Sequence, residues 1–160
     1  LVNYAKAQFD MVRIGIGLYG FGNDQRETSQ LKNTHNLISI ISQIHFIEPG
    51  ETVGYNRAFI ANSLSKSATI PIGHADGLSR RLGAKKGYVL INNEKAPIIG
   101  NVCMDMIMVD VTNIDCEEGD KVIIFNNQEM IQNIATISET IVYETLTAIS
   151  QRIKKTLKYQ

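Results

Sequence analysis

Between residues 37 and 125 the apolar residues gather in short, β-branched runs, at 37–47, 66–73, 87–92, 96–111 and 120–125, separated by Asn, Gly, Asp and Pro clusters. Runs of this length at this spacing suit many short strands, and so predict a mainly β domain built as a barrel or a sandwich. Glu48-Pro49-Gly50-Glu51 supplies a turn with Gly where a positive φ costs little, and Asn92-Asn93-Glu94-Lys95 is a hairpin candidate. After Asn126-Asn127 the period changes. Ile131, Ile134, Ala135, Ser138, Ile141 and Val142 recur at three and four, which predicts one or two helices.

The two ends of the chain read differently. Residues 11–22, MVRIGIGLYGFG, alternate Gly with Ile and Leu and predict a buried strand whose backbone approaches something closely. Asn23 to Gln30 is polar and reads as a linker, and Lys154, Lys155 and Lys158 read as a solvated basic tail. The chain starts at Leu1 with no Met, inside what reads as an element, so the expectation is a portion of a longer protein.

Length and charge exclude several classes. One hundred and sixty residues suit one domain, or one domain plus part of another, with no need of a metal or disulfide staple. Sixteen acidic and sixteen basic residues cancel, so no net field draws nucleic acid or an anionic membrane. Cys103 and Cys116 have neither the pattern of a disulfide framework nor a CxxC spacing, which fits a reducing cytosol and gives no structural zinc site or other metal site. No apolar stretch is long enough to span a bilayer.

Three polar, Gly-punctuated segments follow apolar runs: Val53-Gly54-Tyr55-Asn56-Arg57, Pro71-Ile72-Gly73-His74-Ala75-Asp76-Gly77 and Asn101-Val102-Cys103-Met104-Asp105-Met106. Strand ends in a plain β domain carry generic turn residues; these carry a phenol, an imidazole, a guanidinium, carboxylates and thioethers. That is the composition of a site placed on a scaffold.

Together with VRIGIGLYG, GYVLIN, APIIGNVCMDMIMVDV, GDKVIIF and TIVYETLTAISQR, these segments resemble, in order and over nearly the whole chain, the C-terminal part of the pyridoxal-phosphate-dependent alanine racemases. The resemblance implies a TIM-type barrel that holds the cofactor, followed by a mainly β, barrel-like domain with short helices. Residues 1–30 would then be the last strand and helix of that barrel, and 31–160 the C-terminal β domain. The cofactor lysine would lie outside this chain, which alone would be inactive. The implied parent is a bacterial, cytoplasmic homodimer that interconverts L- and D-alanine for peptidoglycan.

Racemisation takes a proton from one face of Cα and returns one to the other, so two acid–base groups must flank it. The resemblance assigns one role to the cofactor lysine and the other to Tyr55, acting on the partner subunit's cofactor. A free phenol ionises near about pH 10, so such a tyrosine needs cations or hydrogen bonds that favour phenolate. By itself Tyr55 would read as an amphipathic residue at a strand end.

The same resemblance places Arg13 opposite the cofactor's ring nitrogen, where a donor-only guanidinium leaves that nitrogen unprotonated. It places the backbone of Gly15 and Ile16 and the hydroxyl of Tyr143 on the phosphate. Met104 would contact the substrate carboxylate through its N–H, while His74, Arg80 and Ile141 would line the substrate channel or its gate. Three positions depart from the family pattern: Ile14 stands where Pro is usual, His74 where Tyr is common, and Asn101 where Arg is frequent. Period-two alternation would also put Met104, Met106 and Met108 on one face, and His35 and His45 read as ordinary polar-face residues.

Two other readings remain open on sequence. A related PLP-dependent decarboxylase of basic amino acids would share the barrel-plus-β plan but lack the VGY base. A non-catalytic β-barrel binding module would fit a chain without the cofactor lysine; the balanced charge and the absence of an aromatic ladder count against RNA as its ligand.

Overall fold

The structure is a computed structural model and describes residues 4–157, so Lys158 of the basic tail lies outside the described residues. The domain is mainly β, as expected. The described residues form nine strands: β1 (Leu37–Ile40), β2 (Gln43–Ile47), β3 (Thr52–Val53), β4 (Phe59–Ile60), β5 (Ser65–Ile70), β6 (Tyr88–Ile91), β7 (Glu94–Ile99), β8 (Ile107–Asp110) and β9 (Lys121–Phe125). Seven form one antiparallel sheet in the order β1-β9-β6-β7-β8-β5-β2, and β3 and β4 pair as a separate ribbon.

β1 and β2 are consecutive in sequence, yet they end opposite edges of the sheet. The chain makes that passage in two residues. Ile41 N–H donates to Asp120 C=O at 2.9 Å and Ile41 C=O accepts from Gly119 at 2.8 Å, on the β9 side; Ser42 N–H donates to Thr69 C=O at 2.9 Å, on the β5 side. One bent segment therefore serves both edges and the sheet curls into a barrel. The predicted single strand over 37–47 is in fact this corner. Past it, the Glu118 carboxylate accepts from Ile44 N–H at 3.0 Å, which covers a ladder donor of β2.

Alternation sets which side chains enter. Val89 and Ile91 of β6, Ile107 and Val109 of β8, and Val122 and Ile124 of β9 are buried at every second position, with Ile41, Ile70 and Ile98 beside them. The helical period after residue 127 holds in α2 (Gln128–Ile137) and α3 (Val142–Thr147), with Glu139 at φ 56° in the break between them. α2 is capped by Asn127, whose Oδ1 accepts from Met130 N–H at 2.8 Å, and adds Met130, Ile131, Ile134 and Ala135 to the core. The hairpin at 92–95 also forms, with Asn92 and Asn93 at φ 50° and 67°, the left-handed pair of a type I′ turn.

Three expectations are corrected. Residues 11–22 form no buried strand: Met11, Val12, Arg13 and Ile14 are exposed, and Ile16–Tyr19 is a 3-10 turn. With no strand alongside among the described residues to complete a ladder, the backbone closes short-range bonds instead, Leu18 N–H to Gly15 C=O and Gly20 N–H to Gly17 C=O, both at 3.2 Å. The linker at 23–30 contains the short helix α1 (Gln25–Ser29), capped by Asp24, whose Oδ1 accepts from Glu27 N–H at 2.8 Å. The run over 96–111 is two strands, because Gly100 takes φ 65° and turns residues 100–106 out of the sheet. Met104 and Met106 therefore stand on a loop, exposed, while Met108 on β8 packs on Ile47, Ala61 and Ile99.

One side-chain amide makes several of the ties between the N-terminal segment and the β domain. Gln128 Nε2 donates to the carbonyls of Gly20, Thr28 and Leu31, gathering residues 20–31 onto the start of α2. In the core, Ile107 is fully buried, so Ile107→Ala leaves a cavity that should cost about 2–5 kcal/mol. Equilibrium urea unfolding checks this, and a loss near zero would mean the barrel interior is not packed as described.

Candidate functional site

The residues singled out in the sequence fall into two groups. The first lies where the N-terminal segment meets α3. Arg13, Gly15, Ile16 and Tyr143 line one cavity of about 510 Å³, and Ile16, Ile141 and Tyr143 line an adjoining one of about 680 Å³. The Tyr143 hydroxyl accepts a 2.7 Å hydrogen bond from Ile16 N–H. Gly15 has to be glycine for this to happen, since a Cβ there would sit 2.3 Å from the Tyr143 hydroxyl oxygen. A phenol accepting one hydrogen bond keeps its own O–H free to donate. The cavity therefore presents a hydroxyl donor and the Arg13 guanidinium beside bare backbone.

The second group is built from the three polar loops. Tyr55 begins a 3-10 turn, Tyr55–Arg57, and its side chain is exposed, at 68%. Its carbonyl accepts from Asn101 Nδ2 at 2.9 Å, which fastens the Tyr55 turn to the loop that carries Met104, itself 58% exposed. A Cβ on Gly100 would come within 2.9 Å of the Val53 carbonyl, so the two loops touch through backbone. The His74 loop joins from the other side: His74 N–H donates to Cys103 C=O and Ala75 N–H to Met104 C=O, both at 2.9 Å. A Cβ on Gly73 would lie 2.4 Å from the Met104 carbonyl oxygen, which is why that position is bare. Arg80 follows in a 3-10 turn, Arg80–Leu82, capped by Ser79 and exposed.

Tyr55, His74, Met104 and, beside them, Arg80 are thus one assembly, while Arg13, Gly15, Ile16, Ile141 and Tyr143 are another. The two cavities at Tyr143 include neither Tyr55 nor Met104. Burial pushes the thiols of Cys103 and Cys116 up, against the nearby charges of Arg80 and Lys66 respectively.

Sequence reasoning missed the group that links these loops. Asp76 is buried, and its Oδ2 accepts from Gly73 N–H at 2.8 Å while its Oδ1 accepts from Arg152 Nε at 2.7 Å. Arg152 Nη2 also donates to Asp105 Oδ1 at 2.7 Å, so one guanidinium holds the His74 loop and the Met104 loop together. The separation of Arg152 from either carboxylate in sequence gives no local signal.

The chain matches the family model for the alanine racemase C-terminal domain over residues 34–157, and so belongs to that family. It is 41% identical over 154 residues to the alanine racemase of Helicobacter pylori (strain J99 / ATCC 700824), covering 91% of this chain and 41% of that protein. It is 43% identical over 149 residues to the alanine racemase of Vesicomyosocius okutanii, covering 92% and 42%. Among solved structures it is similar to the alanine racemase of Bartonella henselae with covalently bound pyridoxal phosphate, at TM-score 0.80 and 37% identity over 91% of this chain and 41% of that one. It is also similar to the alanine racemase of Bacillus anthracis with bound L-Ala-P, at TM-score 0.79 and 31% identity, over 91% and 39%. The chain spans about two fifths of the length of these relatives.

Asp76 gives a signed pH dependence. Burial raises its pKa, but the hydrogen bonds from Arg152 and Gly73 and the Arg152 charge outweigh burial and hold it below the ordinary carboxylate value. A carboxylate with a depressed folded pKa stabilises fully above its unfolded value, about 4, and the contribution is lost as pH falls through the lower folded value. Thermal melts from pH 2 to 7 should therefore show wild type losing its advantage over Asp76→Asn only below about pH 4. A constant gap across that range would contradict the assignment.

Proposed function

We propose that these residues form the C-terminal part of an alanine racemase that uses pyridoxal phosphate, with residues 1–30 completing its cofactor-binding barrel and 31–160 forming its β domain. The observation that carries this reading is the pairing of two incomplete clusters: an anion-ready cavity at Tyr143, and an exposed loop assembly holding Tyr55 and Met104. A head-to-tail homodimer would bring the second cluster of one subunit onto the first cluster of the other.

The bare backbone at Gly15 and the Tyr143 hydroxyl beside it fit the phosphate of such a cofactor. Bound there through a lysine outside this chain, pyridoxal phosphate would supply the electron sink that makes the alanine Cα–H acidic. Tyr143, its oxygen engaged by Ile16 N–H, would donate a hydrogen bond to a phosphate oxygen. Arg13, with donors only, would face the ring nitrogen and leave it without a proton. From the partner subunit, Met104 N–H would hold the alanine carboxylate, and Tyr55, on the face opposite the lysine, would take the Cα proton as phenolate, becoming the neutral phenol, or give a proton back as the phenol. His74, Arg80 and Ile141 would border the route to that point, with an imidazole at 74 where the resemblance implies a phenol.

No helix among the described residues is long and apolar enough to cross a membrane. The proposed setting is the bacterial cytoplasm, with D-alanine passing to peptidoglycan.

The test is racemisation of L-alanine by the complete polypeptide, wild type against Tyr55→Phe, with the 160-residue chain alone as a control. The expected result is a fall in kcat of about 10²–10⁴-fold on loss of the hydroxyl and no turnover by the chain alone. Equal kcat in the two enzymes would remove Tyr55 from the chemistry.

A further inference from the structure

We propose that Arg152 is a positioning residue that aims the Met104 N–H at the substrate carboxylate; this rests on the racemase reading above. The Met104 N–H and the Cys103 C=O belong to one peptide plane and point in opposite directions, so whatever holds that carbonyl also orients that N–H. The carbonyl is held by His74 N–H, and the next one along, that of Met104, by Ala75 N–H. Both donors belong to the turn that starts at Gly73, and Asp76 keeps that turn closed through its 2.8 Å bond from Gly73 N–H.

Arg152 secures the turn at its base and the loop at its tip. Its Nε bonds Asp76, whose side chain is only 10% exposed, and its Nη2 bonds Asp105, the residue after Met104. The two contacts have different consequences. Asp76 is an anchor, because a buried carboxylate without its partner is costly. Asp105 is half exposed, as is Arg152, so that pair adds little stability and its effect is geometric. Ser150 N–H donates to the Asp76 carbonyl at 3.0 Å, which ties the same turn to the segment after α3, the helix that carries Tyr143.

The experiment uses the complete racemase, with wild type, Arg152→Gln, Arg152→Lys and Asp105→Asn compared for kcat, KM for alanine and Tm. Arg152→Gln should raise KM about tenfold, with kcat within about threefold of wild type. Arg152→Lys should not restore KM, because a single ammonium cannot reproduce the planar two-point fork. Asp105→Asn keeps the Asp76 anchor, so it should raise KM with little change in Tm. An unchanged KM in Arg152→Gln or in Asp105→Asn would overturn the inference and leave the clamp as a stabilising contact only, as would a full return of KM in Arg152→Lys. A wild-type enzyme that does not racemise alanine would instead overturn the racemase reading, and this inference with it.

Discussion

Closure of the sheet at Ile41 and Ser42 is the constraint on which the other features depend. Two adjacent residues bond to opposite edges, so the strands cannot lie in an open sheet, and the loops that leave their ends are gathered. β3 and β4 then carry the Tyr55 turn between them, β5 leads into the His74 turn, and β7 and β8 flank the Met104 loop. A fully buried interior of Ile and Val gives these loops a base that does not shift.

On that base, the loops are locked by backbone rather than by large side chains. Gly73 and Gly100 let carbonyls approach to distances a Cβ would forbid, and the N–H groups of His74 and Ala75 satisfy the carbonyls of Cys103 and Met104. Side chains add the remaining ties: Asn101 to the Tyr55 carbonyl, and Arg152 to Asp76 and Asp105. Tyr55 and Met104 are left exposed by this arrangement. The proposed head-to-tail dimer requires exposed side chains of this kind.

Much of this was legible in the chain. The β-rich runs at 87–92 and 120–125, the hairpin at 92–95 and the change of period after Asn127 depend on local pattern, so these followed from residue order. The segment 11–22 was misread because Gly–Ile alternation is strand-like only where a neighbouring strand takes up the ladder. Composition alone makes 23–30 a linker, although the resemblance puts a helix within 1–30 and Asp24 and Glu27 stand at capping spacing. Tyr55, Met104 and Tyr143 came from motif resemblance, and nothing in their spacing told which would share a cavity. Arg152 was invisible because its two partners are far away in sequence and only closure of the barrel brings them near.

The division of the site between two subunits is tested most directly by mixing two crippled enzymes. Tyr55→Phe removes the proposed base, and Gly15→Val would fill the space of the Tyr143 hydroxyl at the cofactor site. If Tyr55 serves the partner's cofactor, co-expression of the two complete variants yields mixed dimers with one intact site. Racemisation should then return to about a quarter of wild type for random pairing of subunits. Mixed dimers isolated with a distinct tag on each subunit and still inactive would contradict it, placing Tyr55 and Tyr143 of the same subunit at one site or neither at the chemistry.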